Sequence, residues 1–207
     1  AWDLRIEGAR RLTGTALWNG NLAGPQVPPG EYRCVLRVGE RESRMPGELR
    51  IDPRTRAGLG EHRSQFEFLR GIVTKLDAIH AALLEARRVR DALRAIEPEL
   101  PESVAGGELR TACEALRGRI DALEERLCQP RGKSAQDPLN FPVGRNDRLA
   151  ALNAASGGHG PTAQDLAVRD ELLAEIDPAL AELEKLLADE LPALELRARE
   201  VGAPVIR

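Results

Sequence analysis

From about residue 61 onward the apolar residues recur at three- and four-residue intervals, and that period restricts the chain to long helices. Leu69, Ile72, Leu76, Ile79, Leu83 and Ala86 form one stripe, extended by Phe66 and Leu93. A second runs Leu109, Cys113, Leu116, Ile120, Leu123 and Leu127. A third runs Leu173, Ile176, Leu180, Leu183 and Leu187, continued by Leu191 and Leu194. Side chains three and four apart share one helix face, so each stripe needs a neighbour to cover it. Pro98 and Pro101 stop the first helix and Pro130 the second, because proline cannot donate a backbone bond. Thr162 is placed to cap the third, its hydroxyl accepting an orphan N–H. Pro178 and Pro192 fall inside the third stripe, yet the apolar phase continues across Pro178, which predicts one bent helix. Seven-residue spacing with Pro/Gly-rich connections predicts an antiparallel three-helix bundle with coiled-coil-like packing over 55–207.

Before residue 54 the period is two. Trp2, Leu4 and Ile6 alternate with Asp3, Arg5 and Glu7, and Tyr32, Cys34, Leu36 and Val38 alternate in the same way after a Pro28-Pro29-Gly30 turn. Gly39-Glu40 starts a hairpin turn, Leu49 and Ile51 mark the return strand, and Asp52-Pro53-Arg54 ends the region. Roughly four strands are too few for a sandwich, which needs about seven. Either the sheet rests on the helices or its remaining strands lie upstream of Ala1; an opening without Met and already in strand-like alternation favours the second. The expected fold class is therefore α+β and mainly α, with a partial immunoglobulin- or fibronectin-like β module at 1–54 ahead of the bundle. The segment 129–161, rich in Pro and Gly with a short helix near 146–154, is expected to dock on the bundle through Leu139 and Phe141.

The side-chain chemistry excludes more than it suggests. Thirty basic residues against thirty-three acidic ones, a net charge of −3, give no field to recruit nucleic acid or an anionic membrane. No apolar run is long enough to span a bilayer, so no membrane insertion is expected. Cys113 and Cys128 fall in one helix, roughly 22 Å apart at 1.5 Å per residue, beyond disulfide reach. All three cysteines read as buried thiols, with Cys128, at its helix end, the most reactive. His62, His80 and His159 have no partner at metal-ligand spacing. His80, following Ile79, reads as a packed or rim histidine, and His159, in Gly157-Gly158-His159-Gly160, as a loop residue. Glu182, Glu184, Lys185 and Asp189 interleave as on a solvated face. Neither a G-x-S-x-G elbow nor a P-loop occurs, and no catalytic, cofactor or metal residue is assigned. Trp2 is in phase with Leu4 and Ile6 and reads as core. Trp18, beside Asn19-Gly20-Asn21, is the candidate ligand contact, an exposed face on which a sugar could stack.

Several motifs in order carry a resemblance. Trp2-Asp3-Leu4-Arg5, then Gly24-Pro25-Gln26-Val27-Pro28-Pro29-Gly30-Glu31-Tyr32, then Asp52-Pro53-Arg54 ahead of a long helix near Gln65-Phe66, resembles the C-terminal region of bacterial sortilin-type, Asp-box (BNR-like) β-propeller repeat proteins, loosely labelled glycosyl hydrolases. Pro138-Leu139-Asn140-Phe141-Pro142 through Asn146, Leu149 and Leu152 is similar to that family too, as is Pro161-Thr162-Ala163-Gln164. The resemblance implies an upstream propeller on which this segment packs, export to the periplasm or beyond, and no catalytic residue carried here. The leading expectation is a non-catalytic structural or interaction module that caps the propeller, or holds a protein partner, through a bundle face. The alternative is an accessory part of a glycoside hydrolase, binding carbohydrate or forming one wall of its cleft. A cytosolic helical adaptor would require the chain to be a complete gene product.

Overall fold

In the computed structural model, which describes residues 2–18, 20–134, 136–154 and 159–203, the chain is mainly helical with one small antiparallel sheet. The helices are α1 (Leu59–Ile96), α2 (Val104–Leu127), α3 (Arg145–Ala154), α4 (Ala163–Lys185) and α5 (Leu191–Glu200). The three apolar stripes meet: Leu76, Ile79, Leu83 and Leu93 of α1, Leu109, Ile120 and Leu127 of α2, and Ile176 and Leu183 of α4 are all fully buried. In the third stripe Leu172 and Leu186 take the core places that the spacing assigned to Leu173 and Leu187. Each such side chain stabilises the fold by about 1.5–3 kcal/mol relative to exposure. Ion pairs set the helix directions. Arg87 and Arg90 of α1 reach Glu124 and Asp121, whereas Arg117 of α2 reaches back to Glu97, so α2 runs against α1. Arg126 meets Glu182 and Arg119 meets Glu190, so α4 and the turn after it run against α2.

The ends obey the caps. Ser103 Oγ accepts from Gly106 N at 3.1 Å, and Thr162 Oγ1 accepts from Asp165 N at 3.1 Å while Asp165 accepts the Thr162 N–H at 2.8 Å. Pro178, on the exposed face, does not interrupt α4. Pro192 does leave a mark: one wide π turn, Leu186–Glu190, precedes it, with the Leu191 N–H bonded five residues back to Leu186 O. The wide turn takes up the bond that Pro192 cannot make.

The first 54 residues differ from the strand reading. Among the described residues only β1 (Gly30–Val38) and β2 (Arg41–Leu49) form a sheet, with Cys34 opposite Met45 and Val38 opposite Arg41 across the turn. Gly39, at φ +59°, supplies the left-handed residue that a two-residue hairpin demands. Trp2, Leu4 and Ile6 form no strand: Leu4 sits at φ +64°, and Arg5 alone bridges to Gln26. Residues 4–9 instead run beside 22–27 through isolated bonds, such as Ala9 N to Leu22 O at 2.9 Å. Gly24 permits the approach, since a Cβ there would lie 2.0 Å from Ile6 O. Residues 10–21 leave this ladder and cross the helices as a strap, with Leu12 buried in the same core as α1. Cys34, Leu36 and Val38 are exposed, not buried, because the hairpin has no layer packed on that face. Leu139 is likewise 84% exposed and does not dock; Phe141 is half-buried under the Arg131 guanidinium, 4.8 Å from its ring centroid.

Candidate functional site

The strap is tied down residue by residue. Arg10 donates from Nε and Nη2 to the two Asp77 oxygens, both at 2.8 Å, and its N–H donates to Asp77 Oδ1 at 2.8 Å. That pairing holds the Asp77 carboxyl down at about 2, well below its ordinary 3.8. One turn further along α1, His80 donates from Nδ1 to Arg10 O at 2.7 Å and accepts at Nε2 from Asn146 Nδ2 of α3 at 3.0 Å. Burial lowers the His80 pKa; the bond to Arg10 O and the charge of Asp77 oppose that shift only in part. Arg87 donates to Thr13 O, to Thr15 Oγ1 at 2.8 Å and to Glu124, whose side chain is only 3% exposed. Beyond it, Ala16 N donates to Gly132 O at 3.0 Å and Trp18 N to Asp147 Oδ2 at 2.6 Å. Asn153 Nδ2 bonds both Asn21 O and Ala23 O, at 2.7 and 2.9 Å.

Between these anchors the strap arches over a cleft of about 1070 Å³. Arg11, Thr13, Thr15, Trp18, Asn21 and Lys133 contribute polar or aromatic groups to its walls, with His80 and Asn146 beneath. Among the described residues lining it there is no Asp or Glu. The His80 nitrogens are both occupied, and burial pushes the Cys128 thiol up to about 12, so neither serves as base or nucleophile near neutral pH. What remains is a surface suited to holding a ligand.

The positions singled out in the sequence separate here. Trp18 is 58% exposed and lines the cleft. Trp2, expected in the core, is exposed instead and meets Tyr32 edge-on at 6.1 Å, because the strand that was to bury it does not form. Cys128, expected to be the reactive thiol, is buried where Gly144 passes against the Cys128–Gln129 backbone; Cys34 is the exposed one. His159 is exposed, and Gly157 and Gly158 beside it lie outside the described residues. No group of three metal-ligating side chains occurs among the described residues. The strap anchors Arg10, Asp77, Arg87 and Glu124 were not singled out. For Glu124 a signal existed: it lies four residues after Ile120, inside an apolar stripe, where an acidic residue requires a buried partner.

No family model matches the chain, and no curated protein or solved structure matches it either. No helix among the described residues is long and apolar enough to cross a membrane.

Proposed function

We propose that this chain is a non-catalytic structural or interaction module that meets its partner through the β1–β2 hairpin. One observation carries the reading: Leu36, Val38 and Met45 stand on one hairpin face at 66%, 67% and 65% exposure. A two-stranded hairpin is at best marginal alone, and an apolar face of this kind is ordinarily covered. The opposite face carries Val35 alone among exposed large apolar side chains and is otherwise charged, Arg37 and Arg44 both meeting Glu42, so the more apolar face is the one left for a partner.

More particularly, the module is the C-terminal part of an extracytoplasmic β-propeller protein, periplasmic or secreted. The sortilin-type motifs support this, and those of the first 66 residues gather at the hairpin root: Arg5 bridges Gln26, Trp2 meets Tyr32, and Asp52, Gln65 and Phe66 line the same hollow. The hairpin is then two strands of a partial immunoglobulin- or fibronectin-like sheet. The helical rods are an antiparallel three-helix bundle, a reading supported by the alternating directions of their ion pairs. Hydrogen exchange in the full-length protein tests the proposal. Slower exchange of β1 amides than in this chain alone is expected, with Leu36→Glu/Val38→Glu restoring fast exchange. Equal rates in the two contexts would contradict it.

A second reading, an accessory carbohydrate-binding part of a glycoside-processing enzyme, is favoured by the exposed Trp18 on the cleft wall. Calorimetric titration with oligosaccharides tests it, and absence of heat together with unchanged Trp18 fluorescence removes it.

A further inference from the structure

We propose that the cleft beneath the strap binds an acidic carbohydrate, a hexuronate-containing oligosaccharide, with Trp18 as the stacking face and Arg11 and Lys133 holding the carboxylate. The inference rests on the carbohydrate-binding reading and supplies the charge and size of its ligand.

The cleft departs from the rest of the molecule in charge. Acidic residues outnumber basic ones in the chain, 33 to 30, yet the described lining carries two cations and no carboxylate. Most arginines near the strap are committed: Arg10 to Asp77, Arg87 to Glu124 and Thr15. Arg11 is exposed and has no ion-pair or hydrogen-bond partner among the described residues. Lys133 is fixed by donating from Nζ to Gly14 O at 2.7 Å and Pro130 O at 2.8 Å. Carbonyl oxygens orient an ammonium without neutralising it; the Asp137 carboxylate, outside the lining, offsets part of its charge, and its third proton remains free. A guanidinium with its planar fork and a fixed ammonium, both on the lining, each suit a carboxylate. A phosphate monoester, with close to two negative charges, is the competing ligand class, since Asn146 in the first turn of α3 also lines the cleft.

The neutral groups fit a sugar. Thr15 Oγ1 accepts from Arg87, which leaves its proton free to donate to a ligand hydroxyl. Asn21 Oδ1 accepts the Ala23 N–H at 2.9 Å, which leaves the Asn21 amide nitrogen as a donor. Trp18 has its main chain held by Asp147 while its side chain is largely exposed, which pre-positions a stacking face. A volume near 1070 Å³ is at the upper end for small-ligand sites and accommodates two or three sugar rings.

The test is calorimetric titration of the whole chain with trigalacturonate, galactotriose, inorganic phosphate and adenosine monophosphate, with fluorescence followed in a Trp2→Phe background. Trigalacturonate is expected to bind at least about tenfold more tightly than galactotriose, the difference one charge-assisted contact confers, and to weaken with added salt. Arg11→Gln, at an exposed position, is expected to weaken trigalacturonate more than galactotriose and so to narrow that preference. Trp18→Ala is expected to remove binding of both sugars. Equal binding of the two sugars would overturn the acidic class and leave the sugar platform standing. Binding of neither would overturn both readings. Tighter binding of phosphate or adenosine monophosphate than of trigalacturonate would overturn the proposal in favour of a phosphate site.

Discussion

Both ring nitrogens of His80 are engaged, Nδ1 as donor to Arg10 O and Nε2 as acceptor from Asn146, an arrangement that requires the neutral imidazole. Burial holds its folded pKa below the ordinary 6.5, against the charge of Asp77 and with that of Arg87 and Arg10. The unfolded chain therefore takes up the proton first. Stability is at its full value above pH ~6.5 and falls on acidification, by at most about 1.4 kcal/mol per pH unit for this one group. Asp77 acts lower: its folded pKa of about 2 gives stability that is present above 3.8 and lost as pH falls towards 2. Urea denaturation between pH 7.5 and 5 separates them. His80→Ala is expected to flatten the slope below pH 6.5 and to destabilise at pH 7 by about 2–3 kcal/mol, since the Asn146 amide is left unpaired in the core. A retained slope would mean that another group titrates there. The thiols give a second residue-scale expectation: a thiol reagent labels Cys34 alone in the folded chain, and Cys113 and Cys128 only on unfolding. Cys34→Ser should abolish the fast reaction.

Among the elements, the strap has the least regular structure and the most distant attachments. Arg10 bonds a partner 67 residues away and Asn153 one 132 residues away. Glu124 is the hinge of this system, buried between Arg87 and Arg90 while Arg87 also holds Thr13 and Thr15. Glu124→Gln removes a buried carboxylate facing two arginines and is expected to cost about 3–5 kcal/mol in chemical denaturation, the range for breaking a buried pair from one side. Leu12→Ala removes the strap's buried apolar anchor, and a loss of about 2–5 kcal/mol is expected. If both variants kept wild-type stability, the strap would be an ornament on the helices and not part of their core.

At the scale of the whole molecule, the helical half was readable because its period is enforced by burial. Leu76, Leu109 and Ile176 are core for the reason their spacing suggests, and Thr162 caps α4 as its position implied. The N-terminal part was not readable by the same rule. Trp2, Leu4 and Ile6 alternate, yet Leu4 adopts a left-handed backbone and close passages at Gly8 and Gly24 replace sheet pairing. The exposure of Trp18 could be read from its Asn-Gly-Asn neighbours, whereas the cleft could not, since its walls come from the strap, α1, α3 and the loop at Lys133. The chain is thus a helical body clasped by its own N-terminal strap, with one apolar face of the hairpin left exposed. Hydrogen exchange resolved by residue tests that division most directly. The amides of Ala9, Ala16 and Asn21, bonded to Leu22 O, Gly132 O and Ala150 O, are expected to be protected together with the centre of α1, while the β1 amides exchange orders of magnitude faster. Strap amides exchanging as fast as those of the hairpin would contradict it.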